Sequence, residues 1–135
     1  MIAGNYFNWP VKRWPDKIAT INKDERLTFS QIDERINRLA NGLHSLGLIK
    51  SKRIGVLLPN SSRFVEVRFA LQKAGLTLVR LNVRQSLQEH AYILNHSRSH
   101  AFIYGEDFLP TVKELKMTAQ GIKKWICVGK EQDIP

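Results

Sequence analysis

One cysteine, Cys127, is all the chain contains. No intrachain disulfide can form, and nothing points to an oxidising compartment. No apolar run approaches the roughly 18 residues needed to span a bilayer. The opening stretch MIAGNYFNWPVKRWP lacks the continuous apolar segment of a secretory signal. A cytoplasmic protein is the expectation. Acidic residues are few, 12 against 21 Lys and Arg, which leaves a net charge of +9 and a pI of about 10.0. Such an excess suits a polyanionic ligand, a nucleic acid, an anionic surface or an acidic partner segment, and equally a plain solvated surface. The basic residues form no block that would mark an arm or tail. Also missing are the Gly-rich dinucleotide fingerprint, the P-loop, the GxSxG elbow and HExxH. No Ser/His/Asp or Cys/His set can be assembled.

What is present suffices for a core: 43% hydrophobic and 24% charged residues, ordinary globular usage. Residues 1–17 read as a loose leader with Trp9 and Trp14 near Pro10 and Pro15. Residues 18–135 read as a hairpin, a long helix and a series of βα units. Ile18–Ile21 and Leu27–Phe29 are the hairpin strands, joined by polar Asn22–Arg26. Thr28 and Gln31 have capping-box spacing. Ile32, Ile36, Leu39, Leu43 and Leu46 then make one apolar stripe, and Gly47 suits the left-handed residue that ends such a helix.

Strand and helix patterns alternate from there. Ile54–Leu58, Leu76–Leu81, Ala101–Tyr104 and Trp125–Val128 are strand candidates. Ser61 or Ser62, then Ser86 with Glu89, and Asp107 are helix caps. Phe64, Val67, Leu71 and Ala74 are expected to face inward, as are Leu87, Ala91 and Leu94, and then Phe108, Val112 and Leu115. Cys127 is expected in the core, and His44 and His90 on polar helix faces. This pattern implies an α/β fold: an open, mostly parallel sheet flanked by helices.

Ligands of open α/β sheets gather beyond the carboxyl ends of the strands. Capping alone explains Asn60, Ser62, Asn82 and Ser86 there. Arg84 differs, because it sits just past a strand and just before a helix N-terminus, where phosphates are often held. A solvent-exposed Arg or a surface ion pair is the competing reading. Arg80 interrupts an apolar strand; it faces a cleft or marks an edge strand with one wet face. His96 and His100 lie four apart without a metal motif around them, and surface histidines are the preferred reading.

Several segments, in order, resemble the adenylate-forming superfamily of acyl-CoA synthetases, peptide-synthetase adenylation domains and luciferases. They are Leu27-Thr28-Phe29-Ser30-Gln31-Ile32, Arg38-Leu39-Ala40, Gly42-Leu43 and Leu46-Gly47-Leu48. Arg53 to Ser61 follows, then Phe69 to Gly75 and Leu78 to Asn82. The resemblance runs from about Pro15 to about Val128. It implies that residues 1–135 form an N-terminal subdomain of a larger carboxylate–CoA ligase using ATP, Mg²⁺ and coenzyme A. Such an enzyme joins an acid to AMP and passes the acyl group to a thiol. The family's phosphate-binding loop, adenine contacts, ribose-binding Asp and catalytic Lys fall outside these motifs, so no catalytic residue is assigned. Asn82-Val83-Arg84 resembles an Asn-Pro-Arg stretch whose Arg contacts coenzyme A phosphates, which makes Arg84 the one cofactor-binding candidate. Val83 and Arg80 stand where the family usually has Pro. Ile134-Pro135 follows the last strand without a closing element, so truncation is expected. Implied partners are the remaining C-terminal part of the enzyme and a carboxylic acid, with a homo-oligomer left open. A basic nucleic-acid-binding module and a non-catalytic scaffold are the alternatives. Salt-dependent binding would separate the first, and the extent of the reading frame the second.

Overall fold

A computed structural model describes residues 7–129. Met1–Tyr6 of the opening segment and the closing Ile134-Pro135 lie outside the described residues. The chain divides into two compact units. One comprises the residues up to Ser51 together with Asn60–Leu76; the other comprises Lys52–Pro59 and the residues from Thr77 onward. Among the described residues no helix is long and apolar enough to cross a membrane.

In the first unit, α1 (Asn8–Arg13) occupies the segment expected to be a loose leader. It buries none of its own side chains. Phe7, just before it, packs its ring against Phe29 and Phe69, at centroid distances of 5.8 and 4.9 Å. The aromatic rings at the head of the segment supply the order that its helix propensity would not. Strands β1 (Ile18–Asn22) and β2 (Glu25–Thr28) pair antiparallel. Helix α2 (Phe29–Ser45) starts at the Thr28 box: the Thr28 hydroxyl accepts from the Gln31 N–H, and Gln31 Oε1 accepts from the Thr28 N–H. Both halves satisfy donors the first turn leaves free.

Ile32, Ile36 and Leu43 are buried as the stripe requires, joined by Ala40. Leu46 is not; it is 44% exposed, because the helix ends at Ser45 and Gly47 turns the chain at φ +81°, bringing Leu48 inward instead. Ser61 caps α3 (Ser62–Lys73), which packs on α2 and buries Phe64, Val67, Ala70 and Leu71. Polar ties reinforce this packing. The buried Glu66 accepts from Arg35 Nε at 2.6 Å and from Arg63 Nη1 at 3.1 Å. Arg63 also reaches Glu25 on β2, and Lys73 pairs with Asp33 across the two helices.

The second unit holds a four-stranded parallel sheet in the order β4-β3-β5-β6. Its strands are β3 (Arg53–Leu57), β4 (Thr77–Arg80), β5 (Ala101–Gly105) and β6 (Lys124–Val128). The alternation expected from the sequence thus gives the parallel α/β sheet. Helices α4 (Leu87–His96) and α5 (Leu109–Thr118) close one core with it. Leu94, Val112 and Leu115 meet Leu57, Leu81, Phe102 and Tyr104 there. Phe102 packs edge-on against Trp125 at 5.6 Å. The central strands β3 and β5, each paired on both edges, are buried along nearly their whole length.

Two expectations fail in this unit. Asp107 does not cap α5. Glu106–Phe108 form a 3₁₀ turn, and the helix starts after Phe108 with no side-chain cap. Pro110 in its first turn supplies the preset φ and needs no N–H partner. Cys127 is exposed rather than core, because β6 is the sheet edge and Cys127 lies near its end, beside Tyr104.

Candidate functional site

β4 is the other edge strand, which settles the reading of Arg80: it is exposed at the strand's end, where one face can stay wet. The chain then turns through Asn82–Ser86 into α4. The turn ties its own atoms together. The Gln85 N–H donates to the Asn82 carbonyl at 3.1 Å, closing a β-turn with Val83 and Arg84 at its centre. Asn82 Oδ1 accepts from the Arg84 N–H at 2.9 Å. Gln85 Oε1 accepts from the Asn82 N–H at 3.0 Å. An Asn at the first position suits such a turn, since its short side chain mimics a backbone acceptor. Proline at position 83 is therefore not needed to fix the loop; these side-chain bonds do it with Val83 in place.

Ser86 completes the expected second capping box, its hydroxyl accepting from the Glu89 N–H while Glu89 Oε2 accepts from the Ser86 N–H. The structure brings Asn82, Arg84, Gln85, Ser86 and Glu89 together around the N-terminus of α4. Arg84 is exposed, and its guanidinium has no ion pair among the described residues. The carboxylate nearest in sequence, Glu89, is occupied by the cap. An unpaired planar cation beside the positive end of a helix is an arrangement that receives phosphate or carboxylate.

His90 is the residue the sequence misplaces. It is 3% exposed rather than on a polar face, and its Nε2 lies 2.8 Å from the Asn82 carbonyl oxygen. Gln85 joins the site through Asn82, and the signal for it in the sequence is the i, i+3 spacing that also marks a capping box. Further along α4, Tyr92 stacks on His96 at 5.3 Å and 11°. Gln85, Gln88, Glu89, Tyr92 and Ile93 line an open groove beside them.

Elsewhere the polar candidates do structural work. Ser61 caps α3, and the Ser62 hydroxyl donates to Glu25 at 3.3 Å. Cys127 is a poor nucleophile despite its exposure. Desolvation around the sulfur raises its pKa above the ordinary 9.0, and the Glu106 carboxylate adds to the shift. Desolvation likewise raises Tyr104. Neither group is thereby primed for covalent chemistry.

A family model described as AMP-binding enzyme matches residues 7–132. The human medium-chain acyl-CoA ligase ACSF2, mitochondrial, is 32% identical over 108 residues, covering 78% of this chain and 18% of its own length. The 4-hydroxybutyrate–CoA ligase 2 of Metallosphaera sedula is 32% identical over 133 residues, 98% of this chain and 22% of the relative. A solved fatty acyl CoA synthetase of Mycobacterium tuberculosis superposes with a TM-score of 0.88 at 27% identity, covering 93% of this chain and 26% of that one. The chain spans about a fifth of the length of the curated relatives it matches. By sequence motif, by parallel-sheet architecture and by these similarities, the chain belongs to the AMP-binding enzyme family and is homologous to acyl-CoA ligases.

Proposed function

We propose that this chain is the N-terminal scaffold of an ATP-dependent carboxylate–CoA ligase. The whole protein converts an acid and ATP to acyl-AMP and pyrophosphate. The thiol of coenzyme A then takes the acyl group and releases AMP. The observation that carries the reading for this chain is Arg84. It is an exposed guanidinium, without an ion pair among the described residues, on a self-locked turn beyond a parallel strand, next to a helix N-terminus. Arg84 binds a phosphate of coenzyme A and holds the nucleotide end while the thiol reaches the acyl-AMP.

ATP and Mg²⁺ fit this chain less well. Among the described residues no three His, Cys, Asp or Glu side chains gather to hold a metal ion. In this reading ATP and its metal belong to the family's phosphate loop and catalytic residues, which fall outside the motifs seen here, and the isolated chain is expected to be inactive.

The whole protein is expected to catalyse ATP–pyrophosphate exchange with at least one member of a panel of fatty and aromatic acids. The isolated chain is expected to show none. Exchange with no acid overturns the ligase reading; turnover by the isolated chain overturns its inactivity. Arg84→Gln is expected to raise KM for coenzyme A about tenfold and to spare exchange, which needs no coenzyme A. Tenfold corresponds to about 1.4 kcal/mol, the low end for a hydrogen bond to a charged group. An unchanged KM removes Arg84 from the site.

A further inference from the structure

We propose that His90 is a positioning residue for coenzyme A capture, acting as a latch behind the Arg84 turn. The inference rests on the reading of Arg84 given above. The geometry is a short relay within one unit. His90, the fourth residue of α4, is 3% exposed, and Nε2 lies 2.8 Å from the Asn82 carbonyl oxygen. A carbonyl only accepts, so Nε2 carries the proton and donates it. Asn82 is the hub of the turn: its carbonyl also accepts from the Gln85 N–H, and its Oδ1 accepts from the Arg84 N–H at 2.9 Å. The imidazole therefore pins to α4 the one residue that fixes the backbone of Arg84.

Stability alone does not explain a histidine here. With Nε2 protonated, Nδ1 is an acceptor, and it is buried with no partner among the described residues. An unmet buried polar atom is a cost that an apolar side chain of similar size would avoid. What the histidine supplies and a leucine cannot is the bond to Asn82. A turn so anchored keeps the Cα–Cβ direction of Arg84 constant before ligand arrives, so less ordering is left for the binding step.

The test compares His90→Leu, which keeps bulk and removes the donor, with His90→Gln, whose amide nitrogen reaches the place of Nε2. Both are measured in the whole protein, beside Arg84→Gln. For His90→Leu, KM for coenzyme A is expected to rise about fivefold while the pyrophosphate exchange rate changes less than twofold. His90→Gln is expected to recover most of the loss. Amide hydrogen exchange at Arg84 and Gln85 is expected to quicken about tenfold in His90→Leu and to stay slow in Arg84→Gln. Equal behaviour of the Leu and Gln variants, or unaltered exchange at both amides in His90→Leu, overturns the latch. If Arg84→Gln leaves KM unchanged while the amides still quicken in His90→Leu, the reading of Arg84 has failed and the latch is a purely structural one.

Discussion

Glu66→Ala is expected to lower the stability of the protein by about 3 kcal/mol, read as a fall in urea midpoint at constant m. Glu66 is buried, and its carboxylate receives Arg35 Nε at 2.6 Å, Arg35 Nη2 at 3.4 Å and Arg63 Nη1 at 3.1 Å. The network joins α2, α3 and, through Arg63 and Glu25, the hairpin. Removing the shared anion takes from two neighbouring guanidiniums their most buried carboxylate partner, while Arg63 keeps Glu25, and removing one member of a buried pair is the costly way to break it. Both arginines keep some solvent contact, 29% and 21% of the side chain, so they can lean outward and hold the loss near the lower end of that range. The contrast is Glu34→Ala on α2. Its pair with Arg38 is exposed on both sides, and the change is expected to be below about 0.5 kcal/mol. Replacing Arg35, Arg63 and Glu66 together by apolar residues of similar volume should cost less than Glu66→Ala alone, since the one charge left over, Glu25, is partly solvated and keeps the Ser62 hydroxyl. Equal midpoints for the Glu66 and Glu34 variants would show that the network contributes no more than a surface pair.

The same network shows where reading the sequence stops. Thr28 with Gln31, and Ser86 with Glu89, were legible because a capping box is a local bargain between residues three apart. The stripe Ile32, Ile36, Leu43 was legible because period alone sets it. Its last member, Leu46, was lost because period does not say on which turn a helix ends. Glu66 is 31 residues from Arg35, and nothing in either segment announces the other. The site follows the same division. Arg84 could be placed from a strand, a turn and a cap in succession. His90 could not, because α4 is amphipathic only relative to a fold, and the partner of this polar side chain is a main-chain oxygen eight residues back. Cys127 departs in the opposite sense: an apolar strand reads as central in sequence, and only the strand order shows that it is an edge.

Gly55→Ala is expected to destabilise the second unit by about 1–3 kcal/mol, and Gly55→Val to prevent its folding. In most strands the first change would help, because alanine has less backbone freedom to lose than glycine. Here the sign reverses for lack of room. A Cβ on Gly55 would lie 2.5 Å from Leu94 Cδ2 and 3.0 Å from Phe102 Cδ2. Neither neighbour can retreat cheaply. Leu94 is 2% exposed within the core of α4, α5 and the sheet, and Phe102 is held by the rings of Tyr104 and Trp125. The φ of Gly55 is not in the left-handed region, so closeness and not conformation requires the glycine. Leu94 lies on the helix that begins at the Arg84 turn and carries His90. The missing Cβ on β3 thus lets α4 settle at the depth from which His90 reaches Asn82. Leu94→Ala alone should cost about 2–5 kcal/mol as a cavity. Combined with Gly55→Ala, the loss should fall short of the sum by about 1 kcal/mol, because the new methyl occupies space the leucine has vacated. Urea midpoints of the four proteins in this cycle measure the coupling. Strict additivity, or a rise in stability for Gly55→Ala alone, would show that α4 does not depend on that glycine for its seat on the sheet.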